Sequence, residues 1–169
     1  ISLGLKKKDK VITTPITFLS SATSIILNGL KPVFSDISSD TFTIDVLEVE
    51  KKIKKDREIR AIVAVDYAGH PCDWDFIKYL KKKYNIFTIN DNCHSLGSKL
   101  YKSNKYACKY ADLVTQSFHP VKHFTTGEGG AILTNHKMYY DKILTLRNHG
   151  IIRKNSLFEK KGLWFYNVD

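Results

Sequence analysis

The segment over residues 117–130, SFHPVKHFTTGEGG, carries the densest set of reactive side chains in the sequence. Its single lysine, Lys122, lies among proline, valine and phenylalanine residues, which partly withdraw the amine from water. Desolvation disfavours the charged ammonium, so such an amine can act as a nucleophile or form a Schiff base. Most lysines on loops simply extend into solvent, but no other lysine of this chain has a comparably apolar, glycine-rich setting. We therefore predict that Lys122 is a reactive lysine.

Three glycines, Gly127, Gly129 and Gly130, close this segment. They indicate either a tight turn or backbone kept bare for the approach of a ligand, and the sequence leaves both possibilities open. The glycine and lysine order of a nucleotide-binding P-loop is absent. A G-x-G-x-x-G motif after the first strand and a G-x-S-x-G nucleophile elbow are absent too, which disfavours a nicotinamide dinucleotide site and a serine hydrolase.

A second segment, INDNCHSLG over residues 89–97, places Asp91 directly after a predicted buried strand. A carboxylate there is either a helix N-cap or the partner of a positively charged ligand atom, and the sequence favours neither. His94 follows three residues later and can lie on the same side. A zinc site is the rival hypothesis, but the three cysteines and the histidines form no C-x-x-C or H-x-x-x-H pair, so we predict no metal.

These segments must be positioned by an alternation of strands and helices. Apolar runs predict strands over residues 10–14, 31–35, 59–65, 86–89, 113–118 and 131–134. Helical periods predict helices from residue 17 to about 28, across 46–53, from 73 to 84 and from 136 to 147. This order predicts a three-layer α/β/α domain with a mostly parallel sheet. Ligands bind at the carboxyl ends of such strands, which singles out the loops over residues 13–18, 66–73, 91–97 and 117–130.

The composition is that of one ordinary globular domain, with 169 residues, 43% hydrophobic and 26% charged. It excludes a disordered tail and a collagen-like fibre, and no apolar stretch is long enough to cross a membrane. The net charge of +10 comes mostly from lysine in short runs, whereas base recognition in nucleic acids relies strongly on arginine. We predict solvated helix faces and no nucleic-acid partner. Three cysteines, an odd number, suit a reducing cytoplasm.

Several stretches together resemble the DegT/StrS-type nucleotide-sugar aminotransferases, which are fold-type I pyridoxal-phosphate (PLP) enzymes. The matching stretches are KVITTPITF, KPVFSDI, YAGHPCD, DNCHSLGS, SFHPVKHFTTGEGG and LRNHGI. The resemblance covers essentially the whole chain, and the stretch around Lys122 is the most specific part. It implies that residues 1–169 are part of the large, PLP-binding domain of such an enzyme.

The resemblance also implies a role for five residues. Lys122 matches the lysine that forms the Schiff base with the cofactor and then moves a proton. Asp91 matches the aspartate on the pyridine nitrogen, whose negative charge keeps that nitrogen protonated. His94 matches the residue beside the ring hydroxyl, Ser117 a serine on the cofactor phosphate, and Phe18 the aromatic residue that stacks on the ring.

The activity that this resemblance implies is transfer of an amino group from L-glutamate to a 4-keto UDP-sugar by a cytoplasmic homodimer. Some relatives dehydrate the sugar instead and carry histidine in place of the lysine, so Lys122 argues against that alternative. A non-catalytic basic binding protein on the same scaffold is the second alternative. Steep salt dependence of nucleic-acid binding and no cofactor absorbance would favour it.

The sequence departs from the family pattern next to Asp91. Asn90, Asn92 and Cys93 stand where the family usually has glutamate and two alanines, and Asp66 stands where a histidine is common. Asn92 and Cys93 are bulkier and more polar than alanine, whereas the charge of Asp91 itself is retained.

The sequence also begins with Ile1 rather than methionine. The family's Ser-Gly-Thr phosphate-binding segment is expected before residue 1, and its small domain with an Asn-Tyr-Arg segment after residue 169. We therefore expect residues 1–169 to be an internal part of a longer protein. We expect this part to be inactive by itself.

Overall fold

The structure, a computed structural model, describes residues 1–151. Over these residues the chain forms a six-stranded sheet in the order β2-β1-β3-β4-β5-β6. The first five strands are parallel to their neighbours, and β6 is antiparallel to β5. The strands are β1 (Lys10–Thr13), β2 (Lys31–Phe34), β3 (Ile59–Val65), β4 (Phe87–Asp91), β5 (Leu113–Ser117) and β6 (Gly130–Leu133).

Helices cover both faces of the sheet, which confirms the predicted three-layer α/β/α class. The helices are α1 (Ser20–Leu27), α2 (Val46–Lys55), α3 (Trp74–Tyr84), α4 (Tyr106–Tyr110) and α5 (Lys137–Arg147). The larger apolar core joins α2, α3 and α4 to one face, where Ile12, Ile62 and Trp74 are fully buried. Smaller clusters join α1 and α5 to the other face through Ile25 and Tyr139. None of the described helices is long and apolar enough to cross a membrane.

The ends of α3 follow the predicted signals. The Asp73 side chain accepts a hydrogen bond from the backbone N–H of Phe76 at 2.9 Å, as an N-cap does. Asn85 adopts a left-handed conformation with φ 51° and ends the helix. The helix therefore returns the chain to the sheet at the start of β4.

The start of α1 and the end of β4 differ from the predicted positions. Helix α1 begins at Ser20 rather than at residue 17, because the Thr17 hydroxyl is hydrogen-bonded to the Ser21 hydroxyl and caps no backbone N–H. Strand β4 does not stop at residue 89: pairing of Val65 with Asp91 extends it, so Asp91 is its last residue. The short α4 was not predicted, because five residues are too few to show a helical period.

Candidate active site

A cleft of about 300 Å³ opens at the carboxyl edge of the sheet, the edge where β1, β3, β4 and β5 end. All five residues that sequence analysis assigned to the site line it: Phe18, Asp91, His94, Ser117 and Lys122. They come from the last residues of β4 and β5 and from the segments that follow β1, β4 and β5. The position agrees with the rule that ligands of parallel sheets bind at this edge.

Asp91 points into the cleft from the end of β4 and is held by neutral donors. Its Oδ2 accepts a hydrogen bond from the Ser21 hydroxyl of α1 at 2.8 Å. Its Oδ1 accepts one from the backbone N–H of Cys93 at 3.3 Å. Turns rather than a helix follow Asp91, so the helix N-cap alternative does not apply. The carboxylate is left in position to face a positively charged group.

Lys122 lines the same cleft and is half-buried. Its backbone N–H closes a turn by donating to the His119 carbonyl at 2.9 Å. Across residues 1–151 no carboxylate forms an ion pair with its ammonium group. A lysine with no fixed counter-charge is available to react with an electrophile.

His94 completes one side of the cleft. Its ring meets the ring of Tyr67 edge-on, with centroids 5.8 Å apart. Burial and then the positive charge of Lys122 lower the pKa of His94. The imidazole is therefore neutral at pH 7 and can either donate or accept a hydrogen bond at the cleft.

Ser117 and Phe18 supply a hydroxyl group and an aromatic face. Ser117 is the last residue of β5, and its oxygen accepts a hydrogen bond from the His119 N–H at 3.4 Å. Its hydroxyl hydrogen can therefore be donated to a ligand. Phe18 is 71% exposed beside the cleft, two residues before α1 begins.

A profile of the DegT/DnrJ/EryC1/StrS aminotransferase family matches residues 1–165. The chain belongs to this family. It is 46% identical over 154 residues to the UDP-4-amino-4,6-dideoxy-N-acetyl-beta-L-altrosamine transaminase of Campylobacter jejuni, covering 90% of this chain and 40% of that protein. The curated relatives that it matches are thus more than twice as long as the chain, which spans about two fifths of their length.

Solved structures of relatives share the fold. Helicobacter pylori PseC, an aminotransferase involved in the biosynthesis of pseudoaminic acid, superposes with a TM-score of 0.83 at 33% identity, covering 93% of this chain and 41% of that one. NtdA from Bacillus subtilis superposes with a TM-score of 0.82 at 29% identity, covering 96% and 36%. The NtdA structure contains the cofactor PMP.

The glycines after Lys122 form a turn, one of the two possibilities that the sequence left open. Gly127 has φ 79°, a left-handed conformation that disfavours side chains. A Cβ at Gly130 would lie 2.7 Å from the Gln116 carbonyl oxygen, so only glycine fits where β6 pairs with β5. The loop between them is closed by the Phe118 N–H, which donates to the Gly129 carbonyl at 2.8 Å.

Sequence analysis of this family member missed the contacts of Ser21, Thr17 and Cys93. Ser21 is buried and links α1 to Asp91, and Thr17 is hydrogen-bonded to it. The available signal was spacing, since Ser21 follows Thr17 by four residues, within one turn of the helix predicted from residue 17. Cys93 lines the cleft, where burial and then the negative charge of Asp91 raise its pKa to about 12.

Proposed function

We propose that this chain is the cofactor-binding part of a PLP-dependent aminotransferase that transfers an amino group from L-glutamate to a 4-keto UDP-sugar. One observation carries the proposal. An amine without a fixed counter-charge, Lys122, shares a cleft with a carboxylate held only by neutral donors, Asp91, and with the hydroxyl of Ser117. These are the groups that the family resemblance assigns to contacts with the cofactor.

The residues fit PLP group by group. Asp91 offers a negative charge to the pyridine nitrogen, and the Ser117 hydroxyl offers a hydrogen bond to the phosphate. The neutral imidazole of His94 suits the ring hydroxyl, and the exposed ring of Phe18 offers a stacking surface. Lys122 supplies the amine.

When bound, PLP supplies an aldehyde that bonds amines and a ring that withdraws electrons. The Nζ of Lys122 would hold the cofactor and, as a free amine, would accept a proton and return it. Asp91 would hold the proton on the ring nitrogen, because separating the two charges is costly in a partly buried site. Ser21 keeps the Asp91 carboxylate oriented through its hydrogen bond.

Similarity to the Campylobacter jejuni transaminase supports a UDP-linked sugar of the pseudaminic acid type as acceptor. We extend the proposal to a homodimer in the cytoplasm, as the family resemblance implies. Exposed apolar side chains on and beside α1, namely Phe18, Leu19, Ile26 and Leu27, provide surface for such an assembly. The three cysteines are all free, in keeping with a reducing compartment.

The test is to trap the cofactor on its lysine. The protein as its gene encodes it is incubated with PLP, reduced with borohydride and mapped by mass spectrometry. We expect the pyridoxyl group on Lys122, and 2-oxoglutarate to form when L-glutamate and a UDP-4-keto sugar are added. A pyridoxyl group on another lysine, or no cofactor uptake, would overturn the proposal.

A further inference from the structure

Behind the cleft lies a second carboxylate, that of Asp66, which is 0% exposed at the end of β3. Its Oδ1 accepts hydrogen bonds from the Cys72 N–H and the Trp74 indole N–H, each at 2.9 Å. Its Oδ2 accepts three more, from Asn90 at 3.0 Å, Asn92 at 2.9 Å and Tyr106 at 2.6 Å. Within the described residues the Asp66 charge is balanced by neutral donors alone.

Two of these donors flank Asp91 in the chain. Successive side chains along a strand point to opposite faces of the sheet, so Asn90 and Asn92 face away from Asp91. Both Nδ2 groups are anchored to the same oxygen of Asp66, while Asp91 faces α1 and the cleft. The Asp66 carboxylate therefore holds the end of β4 from one face and leaves Asp91 to emerge on the other.

The orientation of the Asn90 amide is set by Asp66. Asn90 is 0% exposed, and its Oδ1 has no hydrogen-bond partner among the described residues. An unpartnered buried oxygen is costly. Turning the amide over would bring Oδ1 against the Asp66 carboxylate, which repels it. The charge of Asp66 thus decides which way the amide points.

The remaining contacts hold Asp66 itself in place. Burial and then the negative charge of Asp66 raise the pKa of Tyr106, so its hydroxyl stays protonated and keeps donating. The Ser95 hydroxyl donates to the Asp66 carbonyl at 2.7 Å, and the Asp66 N–H donates to the Asp91 carbonyl at 3.1 Å. Asp66 is therefore tied to the segments before and after Asp91 by backbone as well as side chain.

We propose that Asp66 is a positioning residue for Asp91: by holding Asn90 and Asn92, it fixes the direction in which the Asp91 carboxylate enters the cleft. The proposal rests on the proposed function for the identity of the ligand that Asp91 meets. It adds a residue that touches neither cofactor nor substrate but sets the geometry of one that does.

The experiment compares Asp66→Asn with Asp112→Asn in the protein as its gene encodes it. Asp112 is the matched control, because it is also a buried carboxylate of this sheet but lies at the opposite edge, before β5. Each variant is measured for its PLP dissociation constant, the absorbance spectrum of bound PLP, and hydrogen exchange of residues 90–95 in the PLP-free protein. Unfolding midpoints report the structural cost of each change.

For Asp66→Asn we expect PLP affinity to fall about tenfold, the low end for loss of an outer partner of a ligating group. We also expect a shifted PLP spectrum and faster exchange over residues 90–95. For Asp112→Asn we expect a lower unfolding midpoint with the spectrum and that exchange unchanged. Wild-type spectrum and exchange in Asp66→Asn, or equal changes in both variants, would overturn the proposal.

The exchange measurement separates the two proposals. If the wild-type protein takes up no PLP, the proposed function fails, whereas faster exchange confined to Asp66→Asn still supports the positioning role. Should Asp66→Asn fail to fold, Asn92→Ala removes one anchored amide and keeps the carboxylate. It should show the same spectral and exchange changes at smaller amplitude, and unchanged values would overturn the role of Asp66.

Discussion

Lysines at the two edges of the sheet differ in whether they form ion pairs. At the amino edge, where the parallel strands begin, Lys10 pairs with Asp56 at 2.6 Å and with Glu58 at 2.8 Å. Lys81 of α3 pairs there with the buried Asp112 at 2.6 Å. At the carboxyl edge Lys122 has no such partner within residues 1–151.

This difference indicates that the paired lysines hold the fold, whereas the unpaired lysine of the cleft is free to react. A paired lysine is tied to its carboxylate, and removing it is costly where the carboxylate is buried, because an uncompensated charge is left behind. An unpaired lysine in a cleft contributes little to stability but leaves its amine free to bond a ligand. The buried carboxylates differ in the same way, since Asp112 is met by a lysine and Asp66 by neutral donors.

Replacing the two kinds of lysine should give the largest contrast. Lys122→Ala should abolish covalent PLP retention and amino transfer, and leave the free energy of unfolding nearly unchanged. Lys81→Ala removes the lysine from the buried Asp112 and leaves it the Thr88 N–H and the His136 ring, so it should cost about 1–3 kcal/mol of stability and retain PLP. Absorbance after gel filtration and denaturant unfolding measure both quantities. Retained activity in Lys122→Ala would contradict the comparison.

The carboxylates should show the next largest contrast. Asp91→Asn removes the charge that holds the ring-nitrogen proton, so we expect turnover to fall by about a hundredfold or more. Its stability should change by less than about 1 kcal/mol, because the amide oxygen can still accept from Ser21. Asp56→Asn at the amino edge should leave turnover unaltered. Near wild-type turnover in Asp91→Asn would show that the Asp91 charge has no role in the reaction.

The layers and the cleft could be predicted from sequence because their signals are local. Apolar runs such as residues 59–65 show the strands, and the residues around Lys122 themselves make its setting apolar and glycine-rich. The position of Asp91 at a strand end placed it at the carboxyl edge. Local patterns and family resemblance together therefore selected five residues that line one cleft.

The support behind the cleft could not be predicted, because it joins residues far apart in the chain. Ser21 and Asp91 are separated by 70 positions, and Asp66 and Tyr106 by 40. Nothing local marks Asp66 as the acceptor of five hydrogen bonds. From sequence it was visible only as a departure from the family's usual histidine.

A smaller effect is expected at the aromatic wall. Phe18→Ala should weaken PLP binding about five- to tenfold, the value of one stacking contact of about 1 kcal/mol. The control is Phe42→Ala, because Phe42 is also more than half exposed and lies outside the cleft. Fluorescence titration with PLP measures both constants. Equal affinities in the two variants would mean that Phe18 does not stack on the ring.

The smallest effect should appear in the reactivity of Cys93. Burial and then the Asp91 charge raise its pKa to about 12, whereas the charge of Lys122 acts in the opposite direction. Alkylation requires the thiolate, so the PLP-free protein should react very slowly at pH 8 and about tenfold faster for each added pH unit. Asp91→Asn lowers the pKa and should speed the reaction, and Lys122→Gln should slow it.

Cys108 provides the internal control for these rates. Burial alone raises its pKa, with no charged group of the cleft involved. Peptide mapping after timed exposure to iodoacetamide reports both cysteines in one sample. A change confined to Cys93 would show that Asp91 and Lys122 act on the same small volume, as a joint ligand site requires. If both cysteines responded equally, the variants would have loosened the fold beyond the cleft, and the contrast between the two edges would be one of stability rather than chemistry.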